Sequence, residues 1–167
     1  MKKIILIGIP GSGKTTLGKM LAKELKMPYF DTDQLTFDKV KPESIGEFIK
    51  MAFNGQFIHM QKTIMAELAK YDGSTIISTG AEVALIPKCA SLMKTMGIII
   101  HIRRNPDIIL SSMKSNGIIK NSEGIRLYMK EYSKYEALAD LTLENNGTED
   151  EGLQKLSSLI NNLNTNC

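Results

Sequence analysis

The feature that most constrains the fold is a short apolar run at residues 3–8 that leads directly into a glycine-rich turn. The run reads Lys-Ile-Ile-Leu-Ile-Gly, and the turn extends to Thr16. A continuous run of large aliphatic residues is typical of a strand buried on both faces at the centre of a parallel sheet. Beyond the turn, apolar residues recur at helical spacing until Pro28, at Leu17, Met20, Leu21 and Leu25. This order predicts a buried strand followed by a helix that packs back on it.

The turn itself matches the pattern G-x-x-x-x-G-K-[ST] without a gap. Its glycines let backbone N–H groups converge on phosphate oxygens, and its lysine places a positive charge between the β- and γ-phosphates. Its threonine hydroxyl is a ligand for Mg²⁺, and the N-terminus of the following helix adds its dipole. We therefore predict that ATP with Mg²⁺ binds at Gly8, Gly11, Ser12, Gly13, Lys14, Thr15 and Thr16. Within this set, Thr15 is the predicted metal ligand and Lys14 is predicted to be catalytic.

The rest of the chain alternates strands with helices. Further strands are predicted at 28–31, 74–79, 97–102 and 141–143. Helices are predicted at 44–69 with a break near 54–55, at 85–96, 106–113 and 125–139, and at 153–163, while 114–124 reads as a mobile loop. The alternation predicts an α/β fold, with a parallel sheet flanked on both faces by helices and one domain over residues 1–167.

Three polar turns follow predicted strands, at residues 9–16, 31–33 and 80–82. Ligands of parallel sheets bind outside the carboxyl ends of the strands, which lie at a common edge. We therefore expect the three turns to meet there and to form one site.

Two carboxylates follow the second strand, at Asp31 and Asp33. At strand-like spacing they face the same side, close to the mouth of the phosphate-binding turn. In a phosphotransferase one carboxylate can hold Mg²⁺, and the other can accept the proton of an attacking hydroxyl. An alternative is purely structural, because Asp33 is also suited to cap a helix that begins at Gln34.

Composition argues against several other classes of function. The net charge is +3, lysines and acids alternate, and no basic stripe of the kind that binds nucleic acid is present. No apolar stretch approaches the roughly 20 residues of a membrane span. The two cysteines, Cys89 and Cys167, fit no metal or redox spacing, so we expect reduced thiols in a cytoplasmic protein. We also expect a monomer.

Several segments, taken in order along the chain, resemble the shikimate kinase family. They are Gly8–Thr15, Phe30–Asp33, Ser44–Phe48, Thr79–Gly80 and Tyr135–Asp140. The resemblance implies a three-layer P-loop kinase fold with five parallel strands, a substrate-binding helical segment at 34–60 and a lid at 112–124. It also implies that Thr15 and Asp31 serve the magnesium, and that Asp33 and Gly80 contact the substrate.

The chain departs from this family's pattern on the acceptor side. The family's F-R-x-x-E stretch is matched by Phe57-Ile-His-Met-Gln61, and its glycine triplet by Gly80-Ala-Glu82. Its R-P-L-L lid motif aligns with residues 116–119, and a further arginine position is occupied by Glu131. The acids at two of these positions indicate a neutral or cationic acceptor.

The leading hypothesis is therefore an ATP- and Mg²⁺-dependent kinase for a hydroxyl of a small metabolite, with shikimate the best single candidate from the resemblance. Lys14 and Asp33 are its predicted catalytic residues. Two alternatives remain. One is a nucleotide or nucleoside kinase, and the other is a nucleotide-binding regulatory module without transfer activity.

Overall fold

A computed structural model describes residues 3–115, 126 and 129–165. Five strands form a parallel sheet in the order β2-β3-β1-β4-β5. Their bounds are Lys3–Ile7 (β1), Tyr29–Asp31 (β2), Ile76–Ser78 (β3), Gly97–Arg103 (β4) and Leu141–Glu144 (β5). The predicted α/β class and all five predicted strands are confirmed.

Helices connect the strands and cover both faces of the sheet. They are Lys14–Leu25 (α1), Thr32–Val40 (α2), Ile45–Phe53 (α3), Ile58–Lys70 (α4), Pro87–Met96 (α5), Pro106–Ser115 (α6), Tyr132–Leu138 (α7) and Glu149–Thr165 (α8). The break predicted near residues 54–55 is the connection between α3 and α4, where Gly55 has a φ of 69°. None of the described helices is long and apolar enough to cross a membrane.

The central strand explains the apolar run at the N-terminus. Side chains alternate between the two faces of a strand. Ile5 and Ile7 enter the core under α4, α5 and α7, whereas Ile4 and Leu6 enter the core under α1 and α8. Because helices cover both faces, every position from 4 to 7 is buried, and the strand carries no polar alternation.

Several element boundaries differ from the prediction; the last helix, for example, begins at Glu149 rather than at 153. The helix expected at 85–96 begins at Pro87, and residues Ala81–Leu85 form a separate turn of 3₁₀ helix. Proline fixes its own φ and restrains the residue before it, so it starts the helix rather than extending one. The helix before the predicted loop continues through Ser115, and the remainder of the lid, at 116–124, lies outside the described residues.

Cys89 is a buried thiol in α5 that forms no disulfide with the described residues. Burial raises the pKa of this thiol, so it packs as a small apolar side chain. Cys167 lies outside the described residues.

Candidate active site

The three polar turns meet at the carboxyl edge of the sheet, as predicted. Strands β1, β3 and β2 are adjacent there, and Ser78 is in register with both Leu6 and Asp31. The backbone N–H of Gly80 donates to Thr32 Oγ1 at 2.8 Å, which joins the turn after β3 to the turn after β2. The Ser78 hydroxyl donates to the carbonyl oxygen of Lys14 at 3.0 Å and so joins β3 to the P-loop helix.

The P-loop depends on its glycines for both conformation and space. Gly8, Gly11 and Gly13 have φ values of 144°, 77° and 100°, which side chains rarely adopt. A Cβ on Gly13 would overlap the side chain of Asn145. Asn145 Nδ2 in turn donates to the carbonyl oxygen of Ser12 at 2.8 Å and holds the loop from the end of β5.

Lys14 is almost completely buried at the start of α1, with 8% of its surface exposed. Its Nζ donates to the carbonyl oxygen of Ile9 at 2.9 Å, so the ammonium group lies over the loop. Burial lowers the pKa of Lys14, while the negative charges of Asp33, Asp31 and Glu82 act in the opposite direction. The lysine and these three carboxylates therefore form one electrostatic cluster. Thr15 and Thr16 follow in the first turn of α1, with Thr15 exposed.

Asp31 uses its two carboxylate oxygens for different contacts. Oδ2 accepts hydrogen bonds from Thr15 Oγ1 at 2.9 Å and from the Tyr29 hydroxyl at 3.0 Å. Oδ1 accepts from the backbone N–H groups of Asp33 and Gln34, at 3.0 and 3.3 Å, and thereby caps α2. The structural alternative for Asp33 is therefore wrong. The helix begins at Thr32, and the residue in extended conformation that caps it is Asp31.

Asp33 lies in the first turn of α2, with its carboxyl group against Gly80. A Cβ added to Gly80 would overlap that carboxyl group, so the two residues pack as closely as a glycine permits. The residue is exposed, yet the walls of the cleft displace much of the water around its carboxyl group. This desolvation, followed by the negative charges of Glu82 and Asp31, raises the pKa of Asp33 to about 7, and Lys14 only partly offsets it.

Two cavities adjoin this cluster. The larger, of about 610 Å³, is lined by Thr15, Asp31 and Asp33 and by aromatic and aliphatic side chains of α2 and α3. The smaller, of about 410 Å³, lies between α4, the 3₁₀ turn and the start of α7. Residues of the segment 34–60 therefore line both cavities, while its role in substrate binding stays a prediction.

Sequence reasoning missed three supporting residues. They are Gln61, which contacts Glu82; Tyr135, whose hydroxyl donates to the carbonyl oxygen of Ala81 at 2.9 Å; and Asn145. Asn145 follows β5 directly, at the same edge of the sheet as the three polar turns. The rule that ligand sites lie at the carboxyl ends of strands was therefore sufficient to find Asn145. Gln61 and Tyr135 lie in stretches that were compared with the family, but their contacts with the 3₁₀ turn depend on tertiary packing, which the sequence does not reveal.

Comparisons with known proteins agree with this geometry. The family model "Shikimate kinase" matches residues 10–161. A shikimate kinase of Enterococcus faecalis is 29% identical over 159 residues, which are 90% of this chain and 93% of that protein. One of Clostridium botulinum is 29% identical over 164 residues, 96% of this chain and 98% of that protein.

Solved structures share the fold at lower identity. The shikimate kinase of Acinetobacter baumannii, in complex with shikimate, superposes with a TM-score of 0.82 at 22% identity, over 97% of this chain and 94% of that one. These likenesses, together with the match of the family model over most of the chain, lead to one conclusion. The chain belongs to the shikimate kinase family.

Proposed function

We propose that the chain is an ATP- and Mg²⁺-dependent kinase that transfers the γ-phosphoryl group to a hydroxyl of a small metabolite. The observation that carries this proposal is the convergence of Lys14, Thr15, Asp31 and Asp33 at one edge of the sheet, beside a cavity of about 610 Å³. Shikimate is the first acceptor to test, because it is the acceptor that the names of the relatives indicate.

The P-loop suits the phosphates of ATP. Backbone N–H groups of a glycine-rich loop at a helix N-terminus bind anions, and Lys14 adds a positive charge beside them. Ser12 Oγ is buried and has no hydrogen-bond partner among the residues the structure describes. A phosphate oxygen at the loop would supply one. We therefore assign residues 8–16 to the nucleotide.

Thr15 and Asp31 suit Mg²⁺. Their oxygens lie 2.9 Å apart, and hydroxyl and carboxylate oxygens are the hard ligands that Mg²⁺ prefers. Mg²⁺ in kinases is usually held by one or two carboxylates together with phosphate oxygens, so a larger set of protein ligands is not required. The ion would neutralise charge on the transferred group when it is bound.

Asp33 is suited to act on the acceptor hydroxyl. A general base works best when its pKa is close to the working pH, and the pKa of Asp33 is raised to about 7. Its carboxyl group faces the larger cavity and is not used to cap α2. We assign it to receive the hydroxyl proton, with Gly80 leaving room beside it.

The test is an ADP-release assay with shikimate and a panel of hydroxyl compounds and nucleoside monophosphates. Asp33→Asn should lower kcat/KM about 100-fold or more, as expected for the loss of a general base, with the Kd for ATP unchanged. Asp38→Asn on the exposed side of the same helix is the matched control and should retain activity. If ATP binds but no compound of the panel is phosphorylated, the non-catalytic alternative replaces this proposal.

A further inference from the structure

Tyr29 opens strand β2, two residues before the carboxylate that we assign to the metal. Residues two apart in a strand point to the same face of the sheet, so the two side chains lie next to each other. The Tyr29 hydroxyl donates to Asp31 Oδ2 at 3.0 Å, and this is the oxygen that Thr15 Oγ1 contacts at 2.9 Å. Tyr29 therefore touches the proposed metal site from outside its set of ligands.

The ring of Tyr29 is held in place by packing. It is half-buried and packs against the core under α1 and α8. Gly18, in the interior of α1, leaves room for it, because a Cβ added to this glycine would lie 2.7 Å from Tyr29 Cε2. Glycine inside a helix destabilises it relative to alanine, and here the glycine admits the tyrosine ring. The position of the hydroxyl is therefore fixed by the close approach of α1 to β2.

Asp31 is the acceptor that suits the proton of Tyr29 best. The other hydrogen-bonding neighbours of the phenol, the hydroxyls of Ser78 and Thr15, are neutral. Hydrogen bonds to an ionised carboxylate are shorter and stronger than those between neutral groups. Asp31 Oδ1 is already held by backbone N–H groups at the start of α2. With Tyr29 on Oδ2, both carboxylate oxygens are held, and the group cannot rotate without breaking hydrogen bonds.

We propose that Tyr29 is a positioning residue for Mg²⁺, and that its hydroxyl holds Asp31 Oδ2 beside Thr15 where both oxygens can serve the ion. The proposal rests on the metal site proposed above and adds to it a residue that is not a ligand. Hydrogen-bond partners of metal ligands orient those ligands, and their loss typically lowers metal affinity by about tenfold to a hundredfold. Thr15 also donates to Oδ2, but it is itself a proposed ligand, so Tyr29 is the donor that can act on Asp31 alone.

The first test is Tyr29→Phe, which keeps the ring and removes the hydroxyl. Mg²⁺ is titrated calorimetrically into the complex of the protein with ADP, with the protein in excess so that free nucleotide does not take up the ion. We expect the Kd for Mg²⁺ to rise about tenfold, whereas the Kd for ADP measured in EDTA should not change. A Kd for Mg²⁺ equal to that of the unchanged protein overturns the proposal.

The matched control is Tyr132→Phe. Tyr132 is also half-buried, and its hydroxyl donates at 3.0 Å to the carbonyl oxygen of Arg104. Each substitution removes one hydrogen bond of a tyrosine, so urea unfolding should show a similar loss of stability in both variants. The Kd for Mg²⁺ should rise in Tyr29→Phe and not in Tyr132→Phe. An equal rise in the two variants would show a general effect of lost stability and contradict the proposal.

A double variant tests whether Tyr29 acts through Asp31. In the Asp31→Ala background the carboxylate is absent, so adding Tyr29→Phe should leave the Kd for Mg²⁺ where Asp31→Ala alone has put it. A further rise of about tenfold in the double variant would show that Tyr29 acts on the ion by another route, and the positioning role would be wrong.

The metal titration contains no acceptor, so it separates this inference from the kinase function. Weaker Mg²⁺ binding in Tyr29→Phe, with no compound of the panel phosphorylated by the unchanged protein, supports the positioning role and refutes the kinase function. Phosphorylation of a panel compound, with the same Kd for Mg²⁺ in Tyr29→Phe as in the unchanged protein, does the reverse.

Discussion

Asp33 and Glu82 belong to neighbouring turns, and the charge of Glu82 affects the ionisation of Asp33. Asp33 is desolvated in its cleft, and Glu82 adds a negative charge that further disfavours its ionisation. Lys14 counteracts both effects, although its own burial lowers its pKa. The chemistry of the site is therefore set by the balance of a few charges.

The charges around Asp33 predict how kcat/KM depends on pH. Because the pKa of Asp33 is raised to about 7, the carboxyl group is protonated below that pH and cannot accept a proton. We expect kcat/KM, which reports the free enzyme, to fall as the pH is lowered through about 7. In Glu82→Gln the midpoint should move to lower pH, since one cause of the raised pKa is removed. If the midpoint in Glu82→Gln is the same as in the reference variant Glu149→Gln, which changes an exposed residue at the start of α8, Glu82 does not raise the pKa of Asp33.

Asn145 is the second residue whose effect can be measured alone. It is 6% exposed, and its Nδ2 holds the carbonyl oxygen of Ser12. Asn145→Ala should cost about 1 kcal/mol of stability for the lost hydrogen bond and should weaken ATP binding several-fold, because the loop loses its support. Urea unfolding and ATP titration measure the two effects. The control is Asn146→Ala. The side chain of Asn146 accepts a hydrogen bond from the Asn105 backbone N–H instead, so this substitution should leave ATP affinity unchanged.

Among the elements, α2 carries Asp33 and lines the larger cavity, and one residue caps the start of this helix. Asp31 caps the helix through Oδ1 and contacts Thr15 through Oδ2. The position of Asp33 in the first turn follows from this cap. A single side chain therefore orders the helix and prepares the proposed metal site.

Two substitutions separate these roles. Asparagine caps a helix about as well as aspartate, so Asp31→Asn should change stability little, whereas Asp31→Ala should cost about 1 kcal/mol. Both substitutions should raise the Mg²⁺ concentration that half-maximal ADP release requires, because the anionic ligand is lost. Urea unfolding and Mg²⁺ titration test this pair. An Asp31→Asn protein with the Mg²⁺ response of the wild type would remove Asp31 from the metal site.

Strongly patterned elements could be predicted from the sequence, and contacts between distant elements could not. The buried strand β1 and the P-loop are each formed by a continuous stretch of sequence, so the residues of that stretch are sufficient to predict them. The choice between Asp31 and Asp33 as the helix cap depends on the backbone angles where β2 ends, which residue types do not reveal. The contact of Gln61 with Glu82 joins two helical turns through tertiary packing, and the spacing of apolar residues in the sequence does not predict it.

For the whole molecule, the P-loop, α2 and the turn after β3 are packed on one sheet edge, so a ligand at that edge should stabilise the entire fold. At a concentration of ATP about 100 times its Kd, binding contributes about 2.7 kcal/mol. For a chain of this size that corresponds to a rise in Tm of roughly 5–11 °C. Thermal unfolding with ATP and Mg²⁺ measures it, and Gly13→Ala, which would overlap Asn145, should abolish the rise. If ATP and Mg²⁺ raise the Tm of Gly13→Ala as much as that of the unchanged protein, the nucleotide binds at a different site.

The hydrogen bond from Asn145 to Ser12 spans 133 residues, and this has a consequence for biosynthesis. The P-loop leaves the ribosome well before the strand that supports it. The central strand likewise waits for β3 and β4 before either of its edges is paired. A nascent chain that ends before Leu141 therefore carries the complete nucleotide motif without its support. We therefore expect ATP to stabilise the supported loop only after β5 and Asn145 have been synthesised.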